Sequence, residues 1–126
     1  MDRIKIARRF FAALEANDLE SARALCADNF QGSQNGGPAI DLESLMQFTA
    51  AVHKVVPDFR YEDATRWETQ GGFVEEHSVC GTLPDGDTFK LILCVVGEVA
   101  EGKIMKLREY VDSAAAAALL QALRST

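Results

Sequence analysis

The sequence predicts a single α+β domain in which three helices precede a four-stranded antiparallel meander, and a last helix follows the strands. Two observations lead to this prediction. Apolar residues recur at the helical spacing in the first half of the chain, and they alternate at every second residue in most of the second half. A chain of 126 residues has the length of one domain with one core, so residues 1–126 are assigned to a single unit.

The first half contains three helical patterns. Asp18 and Asp41 are of the type that caps helices two and three, and Pro57 stops helix three because proline lacks the backbone donor. The predicted bounds are 3–16 for helix one, 18 to 28–29 for helix two and 41–56 for helix three, with a glycine-rich loop over 31–39. The apolar stripes are Ile4, Ala7, Phe10, Phe11 and Leu14, then Leu19, Ala22, Leu25 and Cys26, then Leu45, Phe48, Val52, Val55 and Val56.

The second half predicts four strands near residues 58–70, 73–82, 87–99 and 103–112. The turn signals between them are Gly71-Gly72, Pro84-Asp85-Gly86 and Glu101-Gly102. In the first strand the largely apolar face carries Phe59, Tyr61, Asp63, Thr65 and Trp67. A final helix over residues 114–123, capped by Asp112 or Ser113, has Leu119, Leu120 and Leu123 to bury.

Charge and motifs exclude several classes of function. The chain has 13 Lys and Arg against 19 Asp and Glu, a net charge of −6, so we expect no nucleic-acid partner. No apolar run approaches the roughly 20 residues of a membrane span, so we expect no membrane association and a cytoplasmic location. Cys26, Cys80 and Cys94 are predicted to be reduced, buried thiols. With no phosphate loop, metal-ligand spacing or Ser/His/Asp arrangement, we expect neither a cofactor nor a metal.

The last strand carries the first candidate for chemistry. One of its faces holds Met105, Leu107, Glu109 and Val111. If that face points inward, Glu109 is desolvated and its pKa rises toward neutrality, as a general acid or base requires. In the alternative register the opposite face is buried and Glu109 is an ordinary surface charge.

His77 on the second strand is the second candidate. Pairing across the Pro84-Asp85-Gly86 turn places His77 opposite Leu93, and a bulge at Gly102 would place Leu93 opposite Glu109. The two ionisable side chains would then flank one row of the sheet with their backbones about 10 Å apart, which suits a small substrate held between them. The alternative is a histidine that is hydrogen-bonded within a packed core or exposed at a sheet edge.

Other residues complete the candidate site. Glu75 is a second possible acid if it points inward, whereas His53 is expected at a solvent or boundary position because it lies off the apolar stripe of helix three. Aromatic residues at strand spacing are often simply core residues, and Tyr61 is one that could instead line a cavity. The residues predicted to bind substrate are Trp67, Val79, Phe89, Leu91, Leu93 and Leu107.

Four strings resemble the SnoaL-like polyketide cyclase family of the NTF2-like superfamily, which also includes ketosteroid isomerases and limonene epoxide hydrolases. They are ARRFFAALEAND at 7–18, VVPDFRYED at 55–63, EEHSVCGTLPDG at 75–86 and AEGKIMKLREYVD at 100–112. The resemblance implies an NTF2-like cone-shaped barrel, in which a curved antiparallel sheet and its covering helices enclose an apolar pocket. It also implies a homodimer formed through the sheet.

The same resemblance bears on the chemistry. In the cyclases a carboxylate on the final strand acts as acid and base, and the matching residue here is Glu109, where Asp is more usual. The Arg and Asp of the epoxide hydrolases correspond to His77 and Val79, and their Tyr and Asn correspond to Gln31 and Ser33. The tyrosine that ketosteroid isomerases offer from the first helix corresponds to Phe10 or Phe11. These departures argue against epoxide hydrolysis and against an oxyanion donor on helix one.

The sequence therefore predicts a cofactor-independent acid/base enzyme that cyclises or isomerises a small apolar carbonyl compound. Glu109 would be the base, and His77 would donate to the developing oxyanion. The alternative is a non-catalytic module that binds a small ligand or dimerises on the same fold.

Overall fold

The computed structural model describes residues 2–125, which form four helices and five strands. In chain order these are α1 (Arg3–Glu15), α2 (Leu19–Ala24), β1 (Cys26–Gln34), α3 (Leu42–Val55), β2 (Arg60–Thr69), β3 (Gly72–Thr82), β4 (Thr88–Ala100), β5 (Lys103–Val111) and α4 (Ala117–Arg124). The predicted α+β class is confirmed.

The strands form one mixed sheet in the order β1-β5-β4-β3-β2. Strands β2 to β5 make the predicted antiparallel meander, whereas β1 pairs with β5 in parallel. The helices pack on one face of the sheet, where α1 contacts β2 and β3, and α3 contacts β1 and α4. One buried cluster forms around Phe10, Phe30 and Phe73, and a second forms around Val56 and Leu119.

The predicted starts of the second and third helices are confirmed by capping hydrogen bonds. The carboxylates of Asp18 and Asp41 accept the backbone N–H groups of Ser21 and Ser44, at 3.2 and 2.8 Å. Helix α3 ends at Val55, before Pro57, as predicted. Its buried stripe differs from the prediction, because Phe48 is 45% exposed, whereas Met46 and Thr49 are buried.

Strand β1 replaces the predicted end of helix two and the first four residues of the predicted loop. Helix α2 stops at Ala24, and residues 31–34 pair with 106–109 of β5. The side chain of Asn35 extends this pairing, since it both donates to the carbonyl of Val111 at 2.9 Å and accepts the N–H of Val111 at 3.0 Å. The helix prediction is wrong here because the backbone N–H and C=O groups of this segment form hydrogen bonds with β5. The helical spacing of its apolar side chains did not reveal this pairing.

A bulge in β2 reverses the two faces of that strand. Asp63 adopts a left-handed backbone conformation with φ of +57°, and the pairing with β3 shifts between Glu62 and Thr65. Before the bulge Tyr61 points inward, but after it Arg66 does so, and Trp67 lies on the outer face with 48% exposure. The predicted single apolar face therefore holds only for the first half of the strand.

A second irregularity changes the predicted register of β5. Ala100 pairs with Lys103 across a two-residue turn, and an extra residue at Met105 then shifts the ladder. As a result Glu109 lies opposite Val95, not opposite Leu93 as predicted, and Ile104 replaces Met105 on the buried face. The expected bulge at Gly102 is wrong, although the pairing of His77 with Leu93 is confirmed.

The remaining predictions concern α4, the thiols and membrane association. Helix α4 begins at Ala117, later than predicted, and Asp112 instead orders the preceding turn by accepting the N–H of Ala114 at 2.9 Å.

The three cysteines are free; Cys26 and Cys80 are buried, and Cys94 is half-buried. Within residues 2–125, no helix combines the length and apolar character that crossing a bilayer requires.

Candidate functional site

A cavity of about 510 Å³ lies between the inner face of the sheet and helices α1, α3 and α4. This volume is in the range of small-molecule binding sites. Most of its wall is apolar. The polar side chains in the wall are those of Ser33, Gln34, Thr49, His53, Tyr61, His77 and Glu109. Ile40 and Phe48 belong to the wall and are 41% and 45% exposed, which marks the side where the cavity meets solvent.

The structure brings most of the predicted site residues together. The cavity wall includes His77, Glu109, Val79, Leu91, Leu93 and Leu107. It does not include Trp67, because the Asp63 bulge turns this side chain to the outer face. Phe89 also lies outside the wall, where it packs in the cluster around Val56. The placement of these two aromatics therefore gives no support to a role in binding substrate.

Glu109 is the carboxyl group of the cavity wall. Desolvation among apolar neighbours raises its pKa above the ordinary value of 4.5, while a hydrogen bond from the Gln34 side chain and the nearby His77 act in the opposite direction. The inward orientation predicted for Glu109 is thus confirmed, although its pairing partner is Val95 and not Leu93. A group held in this way accepts a proton more readily than a surface carboxylate does.

His77 is 3% exposed and belongs to a buried ionic network. Its Nδ1 lies 2.6 Å from Oε2 of Glu75, a side chain with no exposure, and the other oxygen of Glu75 pairs with the guanidinium of Arg66. Because Nδ1 faces Glu75, Nε2 is the ring nitrogen left for the cavity. The possible inward position of Glu75 is confirmed, and its partner Arg66 was not predicted.

Aromatic rings hold the imidazole in place. The ring of Tyr61 lies against that of His77 with centroids 4.4 Å apart and an angle of 39° between the planes, and Phe11 makes an edge contact at 5.0 Å. Burial, together with the charges of Glu109 and Glu75, raises the pKa of Tyr61 above its ordinary value. Its hydroxyl therefore stays protonated at neutral pH and is able to donate a hydrogen bond.

His53 and Gln34 are two of the wall residues that the sequence prediction missed. His53 occupies the predicted boundary position, yet it also lines the cavity, where its Nε2 donates to the carbonyl of Leu14 at 2.7 Å and its ring contacts Phe59. The row Leu45, Thr49 and His53, whose members are spaced four positions apart on helix α3, could have revealed this. Gln34 could not be found in the same way, because β1 was not predicted.

The arrangement offers a carboxyl group and an imidazole on the wall of one largely apolar cavity. Such a pair is suited to moving a proton at a carbonyl compound, with one group taking the proton and the other stabilising the oxygen. Among residues 2–125, no cluster of three or more His, Cys, Asp or Glu side chains is arranged to hold a metal ion.

A family model described as a SnoaL-like domain matches residues 7–107. The chain belongs to the SnoaL-like domain family. The match covers most of α1 and all of β3, the strand that carries His77 and Glu75, and it ends two residues before Glu109. Among curated proteins, none matches the sequence.

Solved structures show the same fold. IdmH from Streptomyces antibioticus, described as a "putative polyketide cyclase", is 18% identical with a TM-score of 0.84, over 96% of this chain and 99% of its own. A protein of the same description from Pseudomonas putida is 18% identical with a TM-score of 0.78, over 89% and 92%. An LEH-like epoxide hydrolase from M. tuberculosis is 18% identical with a TM-score of 0.75, over 98% and 90%. These likenesses confirm the NTF2-like fold of SnoaL-like proteins.

Proposed function

We propose that this SnoaL-like protein is a cofactor-independent enzyme that transfers a proton at the carbon next to a carbonyl group in a small apolar compound, leading to isomerisation or cyclisation. The observation that carries this proposal is the presence of Glu109 and His77 on the wall of one apolar cavity. Support for the choice of reaction comes from structural relatives described as a "putative polyketide cyclase" and a "Putative Isomerase".

The reaction starts with Glu109 as carboxylate and His77 as imidazolium. Glu109 takes the proton from the carbon, the electron pair of the broken C–H bond forms the C=C bond of the enol, and the carbonyl oxygen receives the proton from Nε2 of His77. The products of this step are a protonated Glu109, a neutral His77 and the enol. Return of the proton at another carbon isomerises the compound, whereas attack of the enol carbon on a second carbonyl group closes a ring.

The surroundings favour this step. Desolvation raises the pKa of Glu109 and makes its carboxylate a stronger base than a surface glutamate. The apolar wall also strengthens the hydrogen bond to the developing oxyanion, because little water competes for it.

The proposal is tested by deuterium exchange. A panel of apolar ketones headed by β-tetralone is incubated in D2O, and incorporation of deuterium next to the carbonyl group is followed by NMR. We expect the protein to accelerate exchange, and we expect Glu109→Gln and His77→Ala each to reduce the acceleration by about 10²- to 10⁴-fold, the usual contribution of a positioned acid or base.

Glu76→Gln is the matched control, because Glu76 is the exposed neighbour of Glu75 on the outer face of β3. It should leave the exchange rate unchanged. Ketones that bind in the cavity without faster exchange would contradict the proposal and favour the non-catalytic binding module. The same conclusion would follow if Glu109→Gln exchanged as fast as the unaltered protein.

A further inference from the structure

We propose that Glu75 and Arg66 are positioning residues that fix which nitrogen of His77 exchanges protons with the cavity. Glu75 accepts a hydrogen bond from Nδ1, and Arg66 pairs with the other oxygen of Glu75, so that Nε2 alone gives up and regains a proton. The arrangement of the three side chains carries this inference, and its catalytic meaning rests on the function proposed above.

The hydrogen bond between His77 and Glu75 sets the direction of the ring. Nδ1 lies 2.6 Å from Oε2 of Glu75, and a carboxylate has only acceptors to offer, so Nδ1 is the donor. When the imidazole is neutral it carries a single N–H, and this bond places it on Nδ1. Nε2 is then an unprotonated acceptor on the cavity side.

Arg66 explains why Glu75 can be a carboxylate inside the protein. Glu75 has no exposed surface, and an isolated charge in that position would be strongly disfavoured. The guanidinium of Arg66 pairs with Oε1, and its side chain is 21% exposed, so its own charge still reaches solvent. Oε2 of Glu75 therefore accepts the hydrogen bond of His77, and Oε1 forms an ion pair with Arg66 on the neighbouring strand.

The bulge at Asp63 makes this pairing possible. With strict alternation, Tyr61 and Trp67 would share a face, and Arg66 would point away from Glu75. The extra residue brings Arg66 opposite Glu75 in the ladder and on the same face. This irregularity of β2 thus serves the site, as bulges near functional residues often do.

A fixed tautomer matters for the proton transfer at the ketone. The other neutral tautomer, with its proton on Nε2, would form only if the imidazolium of His77 lost its Nδ1 proton to Glu75. Nε2, which faces the cavity, would then still be protonated and could not accept a proton from the enol. With Nδ1–H fixed, every proton that His77 gives to the enol oxygen or takes from it passes through Nε2. Tyr61 and Phe11 keep the ring from rotating.

The tautomer is measured directly by ¹⁵N NMR of the histidine side chains, at a pH where the imidazole is neutral. We expect Nδ1 of His77 to give the signal of a protonated nitrogen and Nε2 that of an unprotonated one. The opposite assignment in the unaltered protein would overturn the proposal without any variant. His53 is a built-in reference, because its Nε2 donates to a carbonyl and must carry the opposite tautomer when that ring is neutral.

Glu75→Gln provides the second test. Arg66 has only donors, so the amide oxygen of the new side chain should face it, and the amide NH₂ should face Nδ1. We expect the two nitrogen signals of His77 to interchange. We also expect ketone exchange to fall as far as it does in His77→Ala. Glu76→Gln should change neither readout.

These measurements separate the two proposals. Unchanged nitrogen signals in a folded Glu75→Gln protein would overturn the positioning role whatever the activity. The nitrogen signals could interchange as predicted while the unaltered protein fails to accelerate ketone exchange. That result would support the role of Glu75 in setting the tautomer and would contradict only the proposed enzyme function.

Discussion

The surroundings of Glu109 shift its pKa in two opposite directions. Its position in an apolar wall penalises the charged form, whereas the Gln34 side chain and His77 favour it. Desolvation is the largest of these effects, so the carboxyl group accepts a proton more readily than it would in water. The same desolvation lowers the stability of the folded protein when Glu109 is charged.

This balance predicts how stability depends on pH. The pKa of Glu109 is higher in the folded protein than its ordinary value of 4.5, so between these two values the folded state binds more protons than the unfolded state. The contribution of Glu109 to the free energy of unfolding therefore falls as pH rises through that interval, and it stays low above it. Glu109→Gln removes the dependence, because an amide does not ionise.

We therefore expect Glu109→Gln to be more stable than the unaltered protein at pH 7, with a difference that disappears below about pH 4 where both side chains are neutral. Urea unfolding at the two pH values measures this. Glu76→Gln, on the exposed face, should show no such pattern. Equal or lower stability of Glu109→Gln at pH 7 would show that Glu109 is not desolvated.

At the scale of elements, helices and hairpins were predictable because short-range chemistry defines them. Asp18 and Asp41 start helices with carboxylates that accept backbone N–H groups, and Pro57 follows the end of α3. The Pro84-Asp85-Gly86 turn set the register of β3 against β4, and this placed His77 correctly opposite Leu93. Glu109 was also predictable as an inward residue.

The two bulges were not predictable, and they decide the details of the site. Asp tolerates a positive φ, so nothing in the alternating pattern of β2 marks Asp63 as an extra residue. A shift of one residue exchanges the faces of a strand, which is why Arg66 and not Trp67 points inward. The extra residue at Met105 has the same effect on β5.

Strand β1 shows a different limit. It pairs with β5 in parallel along the edge of the sheet, and its pairing partners lie about 75 residues further along the chain. Asp28, Asn29 and Gly32 break any regular apolar pattern within it. Since Gln34 reaches the cavity from this strand, the hydrogen bond to Glu109 could not be found from sequence.

At the scale of the whole molecule, the helices cover one face of the sheet and leave the other open. The open face carries Ile92, which is 76% exposed, together with Trp67 at 48% and Tyr110 at 44%. Large apolar side chains exposed on one face are typical of an interaction surface. The homodimer expected from the family resemblance stays a prediction, and this face is the surface it would use.

The dimer is tested with Ile92→Lys, which places a charge in the middle of that face. We expect the unaltered protein to sediment as a dimer and the variant to dissociate at least tenfold more readily, because the new charge would lose water on association. Ile40→Lys is the control, since Ile40 is exposed at the cavity and not on the open face of the sheet. A monomeric unaltered protein at high concentration would contradict the prediction.

The SnoaL-like fold by itself does not specify a reaction, so the side chains of the cavity carry the functional claim. The most direct test of that claim is a crystal structure with β-naphthol, whose ring and oxygen resemble the enol of β-tetralone. We expect its oxygen within hydrogen-bond distance of Nε2 of His77, and the carbon beside the oxygen-bearing carbon facing Glu109. A naphthol bound outside the cavity, or one whose oxygen contacts neither residue, would contradict the proposed proton transfer.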